Sequence, residues 1–173
     1  MTQSRCMTDR AASDRIDLHP FTAGDRDWLV AAHGRLYAEE AGFDETFAPV
    51  VAGILDDFMA DHDPDRERGW IAWRGGAPLG SIFCVDAGGC RARLRLFLLL
   101  PEARGDGLGW RMLSTCMDFA RAAGYDGMVL STHESHRAAC ALYASAGWRL
   151  ERATPVVHYG QSLVQQDWRF AFG

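Results

Sequence analysis

The sequence predicts an α/β protein: a mixed sheet with helices on its faces. Three observations predict it. Short alternating or apolar runs exchange with stretches of helical periodicity in the order β-α-α-β-β-β-α-β-α-β-β. Phe47, Val50, Val51, Ile54, Leu55 and Phe58 recur at the helical interval. An apolar run from Leu94 to Leu100, interrupted by Arg95, ends at Pro101 and leads into Arg104-Gly105-Asp106-Gly107-Leu108-Gly109-Trp110, a glycine-rich turn that opens another helix.

Arg15 to His19 alternates and reads as a first strand. Asp25 to Glu40 is a helix with Leu29, Ala32, Leu36 and Tyr37 inward, ended near Gly42. The Phe47–Phe58 repeat is the second helix. Gly69 to Trp73 and Pro78 to Asp86 are strands joined at Gly75-Gly76, a hairpin signal, and Gly88-Gly89 turns the chain into a long strand from Arg91 to Leu99. Trp110 to Ala123 is a helix with Leu113, Cys116 and Ala120 inward, and Met128 to Thr132 is a strand. A last helix follows, with Ser135 as its cap, Ala138, Ala139, Leu142 and Ala146 as its apolar face, and Gly147 as its stop. Trp148 to Glu151 and Gln165 to Phe172 complete the sheet.

A chain of 173 residues makes one domain, 15–173, behind a polar stretch, 1–14, expected to be a loose tail without the apolar core of a signal peptide. The longest uninterrupted apolar run, Leu96 to Leu100, is too short to span a bilayer. A net charge of −5 argues against general nucleic-acid or anionic-membrane binding. The five cysteines, odd in number and without a Cys-x-x-Cys, read as reduced thiols of a cytoplasmic protein.

The strand–turn–helix segment builds an anion site. Its glycines allow close backbone approach, and the first N–H groups of the helix have no internal partners. Those donors and the helix dipole favour a phosphate. A nucleoside-triphosphate loop would need a lysine, and all 18 basic residues are arginine. A dinucleotide fingerprint would need G-x-G-x-x-G, whereas Gly105, Gly107 and Gly109 are spaced G-x-G-x-G. Arg104, Gly107 and Gly109 instead match Arg/Gln-x-x-Gly-x-Gly/Ala. Downstream, Ala139, Leu142, Tyr143, Gly147 and Trp148 match Ala-x-x-Leu-Tyr followed by Gly-Phe.

These two motifs, in this order and roughly thirty residues apart with a strand between them, resemble the cofactor motifs of the GNAT superfamily of N-acetyltransferases. From about Leu18 to Trp168 the chain also resembles the acetyltransferase half of bacterial proteins that fuse it to a MarR-type DNA-binding domain. Arg35 to Glu40, Arg66 to Arg68 and Leu94 to Leu96 carry that likeness, and no DNA-binding half is visible.

The resemblance implies a GNAT fold: a mixed, mostly antiparallel sheet of about seven strands, flanked by about four helices, whose central strands splay beside the cofactor loop. It implies acetyl-CoA as co-substrate, no metal, and a primary amine of a small molecule, amino acid or peptide as acceptor. The pyrophosphate would lie on the main chain of Arg104, Gly105, Asp106, Gly107, Leu108, Gly109 and Trp110. The pantetheine arm would pair with Phe97, Leu98 and Leu99, and the N–H of Leu98 or Leu99 would stabilise charge on the thioester oxygen. Tyr143 would protonate the leaving thiolate, with direct attack in a ternary complex. The alternative is a non-catalytic acyl-CoA sensor. Members of the family often form homodimers.

The chain departs from the family pattern at two positions. His136, also expected at the cofactor, stands where many members carry asparagine; Asp106 puts a carboxylate into a phosphate loop, as a helix cap or an outward charge. The base is open among Ser131, Arg95, His133, Glu134 and His158. His133 and His136, three apart, lack H-E-x-x-H spacing and do not read as a metal site. Arg91, Arg93 and Arg95 alternate and share one side of their strand, as a solvated face or as a stripe for an acidic acceptor. Tyr37, Glu40 and Phe43 lie where the family shapes its acceptor pocket.

Overall fold

The computed structural model describes residues 15–173. The expected tail, 1–14, and Cys6 lie outside the described residues. Seven strands form one sheet in the order β1-β2-β3-β4-β5-β7-β6. They are β1 (Ile16–Pro20), β2 (Arg68–Arg74), β3 (Ala77–Gly88), β4 (Arg91–Leu99), β5 (Gly127–His133), β6 (Arg149–His158) and β7 (Gln161–Ala171). The helices are α1 (Arg26–Ala41), α2 (Phe47–Asp61), α3 (Leu108–Ala122) and α4 (Arg137–Ser145). Among the described residues only β4 and β5 run parallel.

Strand alternation sorts the core into two layers. Trp70, Ala72, Ile82, Cys84, Ala92 and Leu94 face Met112, Leu113 and Cys116 of α3. Ile71 and Phe83 face Leu29 of α1 and Val51, Leu55 and Phe58 of α2. Cys116 is fully buried, as expected of a small residue on that face.

Turns follow their glycines. Gly75 and Gly76, both with positive φ (55° and 81°), make the two-residue hairpin that their sequence predicts. The next hairpin turns at Gly89-Cys90, one residue later than expected, because β3 continues through Gly88 to pair with Arg91. The largest departure is at the C-terminal hairpin. β6 is ten residues long rather than a short piece ending at Glu151, and β7 starts at Gln161. β6 is an edge strand with nearly every residue exposed and with Pro155 in its middle, so it carries no apolar alternation and holds the one residue type that argues against a strand.

Three smaller expectations are corrected. Helix α3 begins at Leu108, two residues before Trp110, with left-handed Gly107 at its N-cap and no side-chain cap, so Asp106 does not cap it. Helix α4 begins after His136, and Ser135 sits in the preceding turn without capping it. Ala138 is exposed; the inward face of α4 is Ala139, Cys140, Leu142, Tyr143 and Ala146.

β4 contains the feature that shapes the centre of the molecule. Arg91, Arg93 and Arg95 project to the α1–α2 side, and Leu96 also packs on that side. Phe97 and Leu99 pack on the α3 side, whereas Leu98 and Leu100 pack on Ala32 and Leu36 of α1. Two consecutive residues on one side are a β-bulge, and Leu96 has φ 48°. The β3–β4 register shifts at the same place, between Ser81 and Phe83, and Ser81 Oγ donates to Leu96 O at 2.6 Å.

Gly80 lies opposite this bulge, where an added Cβ would stand 2.5 Å from Leu98 O and 2.9 Å from Leu99 Cδ2. Gly80→Ala is expected to lower the stability by about 2 kcal/mol by forcing β3 and β4 apart. Urea unfolding measures it; an unchanged midpoint contradicts the packing described.

Candidate active site

β4 and β5 pair over only three positions, Arg91 to Arg93 with Gly127 to Val129. Past the bulge the strands part, and the edge of β4 that faces β5 is left without a strand partner. Leu100 N–H donates to Leu79 O in β3 at 2.9 Å. By alternation the main chain of Leu98 also turns toward β3, and that of Phe97 and Leu99 turns into the gap. Of the two N–H groups expected to steady an oxyanion, Leu99 therefore faces the opening, while Leu98 contributes a buried side chain against α1.

The glycine loop closes one end of this gap. Gly105 and Gly107 have φ of 95° and 75°, and an added Cβ at either would meet nothing within 4 Å, so both glycines serve backbone shape alone. Among the described residues, no hydrogen-bond acceptor engages the N–H groups from Gly105 to Trp110; the first helical bond is Arg111 N–H to Gly107 O at 3.0 Å. Six donors thus remain at the positive end of a 15-residue helix. Gly109 serves a different purpose. Its absent Cβ would lie 3.1 Å from Leu99, 3.4 Å from Leu142 and 4.0 Å from Phe97, so it brings the loop against β4 and α4 together. Asp106 and Trp110 are exposed at the mouth.

Arg104 holds the loop rather than reaching outward. Its guanidinium pairs with both carboxylate oxygens of Glu40 (2.8 and 3.1 Å) and donates twice to Leu99 O (3.1 and 2.9 Å). Loop, β4 and the end of α1 are tied at one point, a planar fork that lysine could not reproduce.

Tyr143 is buried on α4, its ring centroid 6.3 Å from Phe97, 5.9 Å from Trp148 and 6.2 Å from Trp168. Burial, then the neighbouring Tyr37, Cys140 and Cys116, hold its phenol well above the ordinary range, so it carries its proton at neutral pH. No hydrogen-bond partner of its hydroxyl lies among the described residues. His136 occupies the N-cap of the same helix, two turns from Tyr143, with its Nδ1 3.3 Å from Thr132 Oγ1.

A group of rings that the sequence did not announce as a unit surrounds the gap. Tyr37 of α1 lies 4.9 Å from His136 and 4.7 Å from Phe47; Phe43 lies 5.6 Å from His133 and 4.8 Å from Tyr159. Tyr159 comes from the missed β6–β7 turn. That turn is pinned to the α1–α2 loop by Asp44 N–H to Tyr159 O (3.0 Å) and Gln161 Nε2 to Gly42 O (2.9 Å). Burial, then His136 and His158, lower His133 to about 4; burial lowers His136, partly opposed by Glu40. Both rings are neutral at pH 7. Of the other base candidates, Glu134 is exposed, Ser131 donates to Asp167 at 2.7 Å, and Arg95 points to the α1–α2 side. No group of three or more metal-binding side chains occurs among the described residues, and no helix there is long and apolar enough to cross a membrane.

Residues 26–148 match the acetyltransferase (GNAT) family, and the chain belongs to it. It is 32% identical over 101 residues to N-acetyltransferase 8 of Rattus norvegicus, an overlap of 55% of this chain and 46% of that protein; the match thus spans about half of that relative's length. The fold is shared with a phosphinothricin acetyltransferase from Sinorhizobium meliloti in complex with acetyl-CoA (TM-score 0.75, 19% identity, 91% of this chain and 89% of that one). It is also shared with a ribosomal-protein-alanine N-acetyltransferase from Brucella melitensis (TM-score 0.72, 16% identity, 90% and 99% covered).

His33, beneath the ring group, is fully buried; its Nδ1–H donates to Leu29 O at 3.0 Å and its Nε2 has no partner. Burial lowers it from 6.5 to about 4. The unfolded chain binds the proton first, so stability from the neutral ring is complete above about pH 6.5 and is lost as pH falls toward 4. Denaturation between these limits should show a loss of about 3 kcal/mol that shrinks in His33→Leu. An equal slope in both proteins would show that this ring is not the cause.

Proposed function

We propose that the protein is an acetyl-CoA-dependent N-acetyltransferase acting on a primary amine of a small molecule, amino acid or peptide by direct attack in a ternary complex. One observation carries this: a row of main-chain N–H groups without partners, Gly105 to Trp110, opens beside the gap where β4 leaves β5. Acetyl-CoA fits the residues present. The loop donors would hold its diphosphate, the edge of Phe97 and Leu99 would pair with its amide arm, and Gly109 sets the loop close against that edge. Arg104 and the side chain of Leu98 would support this cradle from behind, and His136 would border it. When bound, the co-substrate supplies an activated acetyl group.

The chain's own residues then have separable tasks. Leu99 N–H steadies negative charge on the carbonyl oxygen as the amine nitrogen bonds to carbon. Tyr143 gives its proton to the departing sulfur as the C–S bond breaks. The acceptor's surplus proton leaves to water, since burial lowers the basicity of His133 and His136. No nucleophilic cysteine is needed: Cys116 is buried and burial raises Cys140. Arg35 to Glu40, Arg66 to Arg68 and Leu94 to Leu96 support kinship with the acetyltransferase halves of MarR-linked proteins, and the reduced thiols suit a cytoplasmic setting.

Tyr143→Phe should lower kcat by about 100-fold while CoA affinity stays within about twofold. A protein that binds CoA yet shows no turnover to lose is a sensor, not an enzyme. Asp106→Asn should tighten acetyl-CoA binding by about threefold at low salt, and less at high salt, because it removes a like charge from the loop. Calorimetry reads both effects; weaker binding in Asp106→Asn would place the diphosphate elsewhere.

A further inference from the structure

The ring group around the gap has a composition that selects among amines. We infer that the acceptor is a primary monoamine carried on an aromatic or apolar skeleton, seated among Tyr37, Phe43, Phe47, His133, His136 and Tyr159. This rests on the acetyltransferase reading above and adds the acceptor class to it.

Position comes first. The six rings belong to α1, the α1–α2 loop, α2, β5, the start of α4 and the β6–β7 turn. They meet at the end of β5 that has parted from β4, and Tyr37 is near enough to Tyr143 to influence its proton. Five of the six are partly exposed, and Phe43 is the buried pivot that contacts all five others. Rings from one hydrophobic layer would be covered by that layer. Tyr37 and Phe47 rest on the buried layers beneath, the other rings come from separate elements, and the hairpin tip is pinned across the group.

Charge comes second. A polyamine needs several free carboxylates, and an amino acid needs a free cation for its own carboxylate. The ionised groups that act on Tyr37 are Glu40 and Arg104, and they neutralise one another through two hydrogen bonds, while Glu134 and Arg137 beside the two histidines are exposed to solvent. Asp44, in the adjoining loop, accepts from Thr46 N–H and its hydroxyl. The walls themselves are aromatic faces and imidazoles held neutral by burial. Such a wall favours an apolar body, and it can hold a single ammonium over a ring face.

Chemistry comes third. An amine must be deprotonated to attack, and the side chains here offer no strong base. A ring-walled site desolvates the ammonium and so favours its neutral form, which lets the proton leave to water without a dedicated acceptor. A polyamine, held by carboxylates, would have its ammonium stabilised instead.

The test is initial-rate CoA release from acetyl-CoA with 2-phenylethylamine, spermidine and L-glutamate, with CoA binding measured alongside. The expected result is a kcat/KM for 2-phenylethylamine at least about tenfold above either charged acceptor. Tyr159→Asn, suited to the φ of 52° at that position, should raise the KM for 2-phenylethylamine by about tenfold and leave the KM for acetyl-CoA within about twofold. Phe47→Leu, which keeps an apolar side chain, should move the same constant in the same direction. CoA binding with transfer only to spermidine or glutamate, or to no amine, overturns the acceptor class, as does an unchanged amine KM in both variants. Absence of CoA binding overturns the acetyltransferase reading itself.

Discussion

The structure depends on one extra residue in β4. At Leu96 the strand adopts a left-handed conformation, two neighbouring side chains fall on the same face, and the pairing with β3 slips. A regular strand would have carried its ladder along β5 and sealed the sheet. The bulge twists β4 away after Arg93, and the sheet opens along the edge of Phe97 and Leu99. A non-glycine residue with positive φ is costly in a strand. It is held here by Ser81, whose hydroxyl binds the Leu96 carbonyl, and by Leu98 and Leu100 packed on α1.

Around that opening, the polar groups divide their work. Main-chain donors from Gly105 to Trp110 have no acceptor among the described residues, while the one strong cation of the loop is paired with the protein's own groups. Arg104 resembles a phosphate ligand in sequence, yet its fork is satisfied by Glu40 and the Leu99 carbonyl. Affinity would then come from dipoles and orientation, which suit a co-substrate that must leave after each turnover.

The parts legible in the sequence are those decided by local rules. Gly75-Gly76 demanded a hairpin, the Phe47–Phe58 repeat a helix, and the loop motif a glycine turn at the mouth of a helix. What was not legible required distant partners. Nothing in Leu94-Arg95-Leu96-Phe97 marks a bulge except that the arginine alternation stops, since any of several leucines could have taken the extra place. The end of β6 was hidden because an edge strand in solvent needs no apolar face. Tyr159 was lost with it, and so was the ring group, whose members lie more than a hundred residues apart in sequence and meet only through the β5–β7 pairing and the α1–α2 loop. Ser135 looked like a cap by type, but the chain turns before it can reach the helix.

The same proline that disguised the outer strand also limits what that strand can do to its neighbours. A ten-residue sheet rim with eight exposed residues is an invitation to stack one molecule on another without end. Pro155 removes a donor from that rim, and Arg149, Glu151 and Arg152 surround it with charge. Fibre growth is thereby denied a continuous template, long and open though the hairpin is.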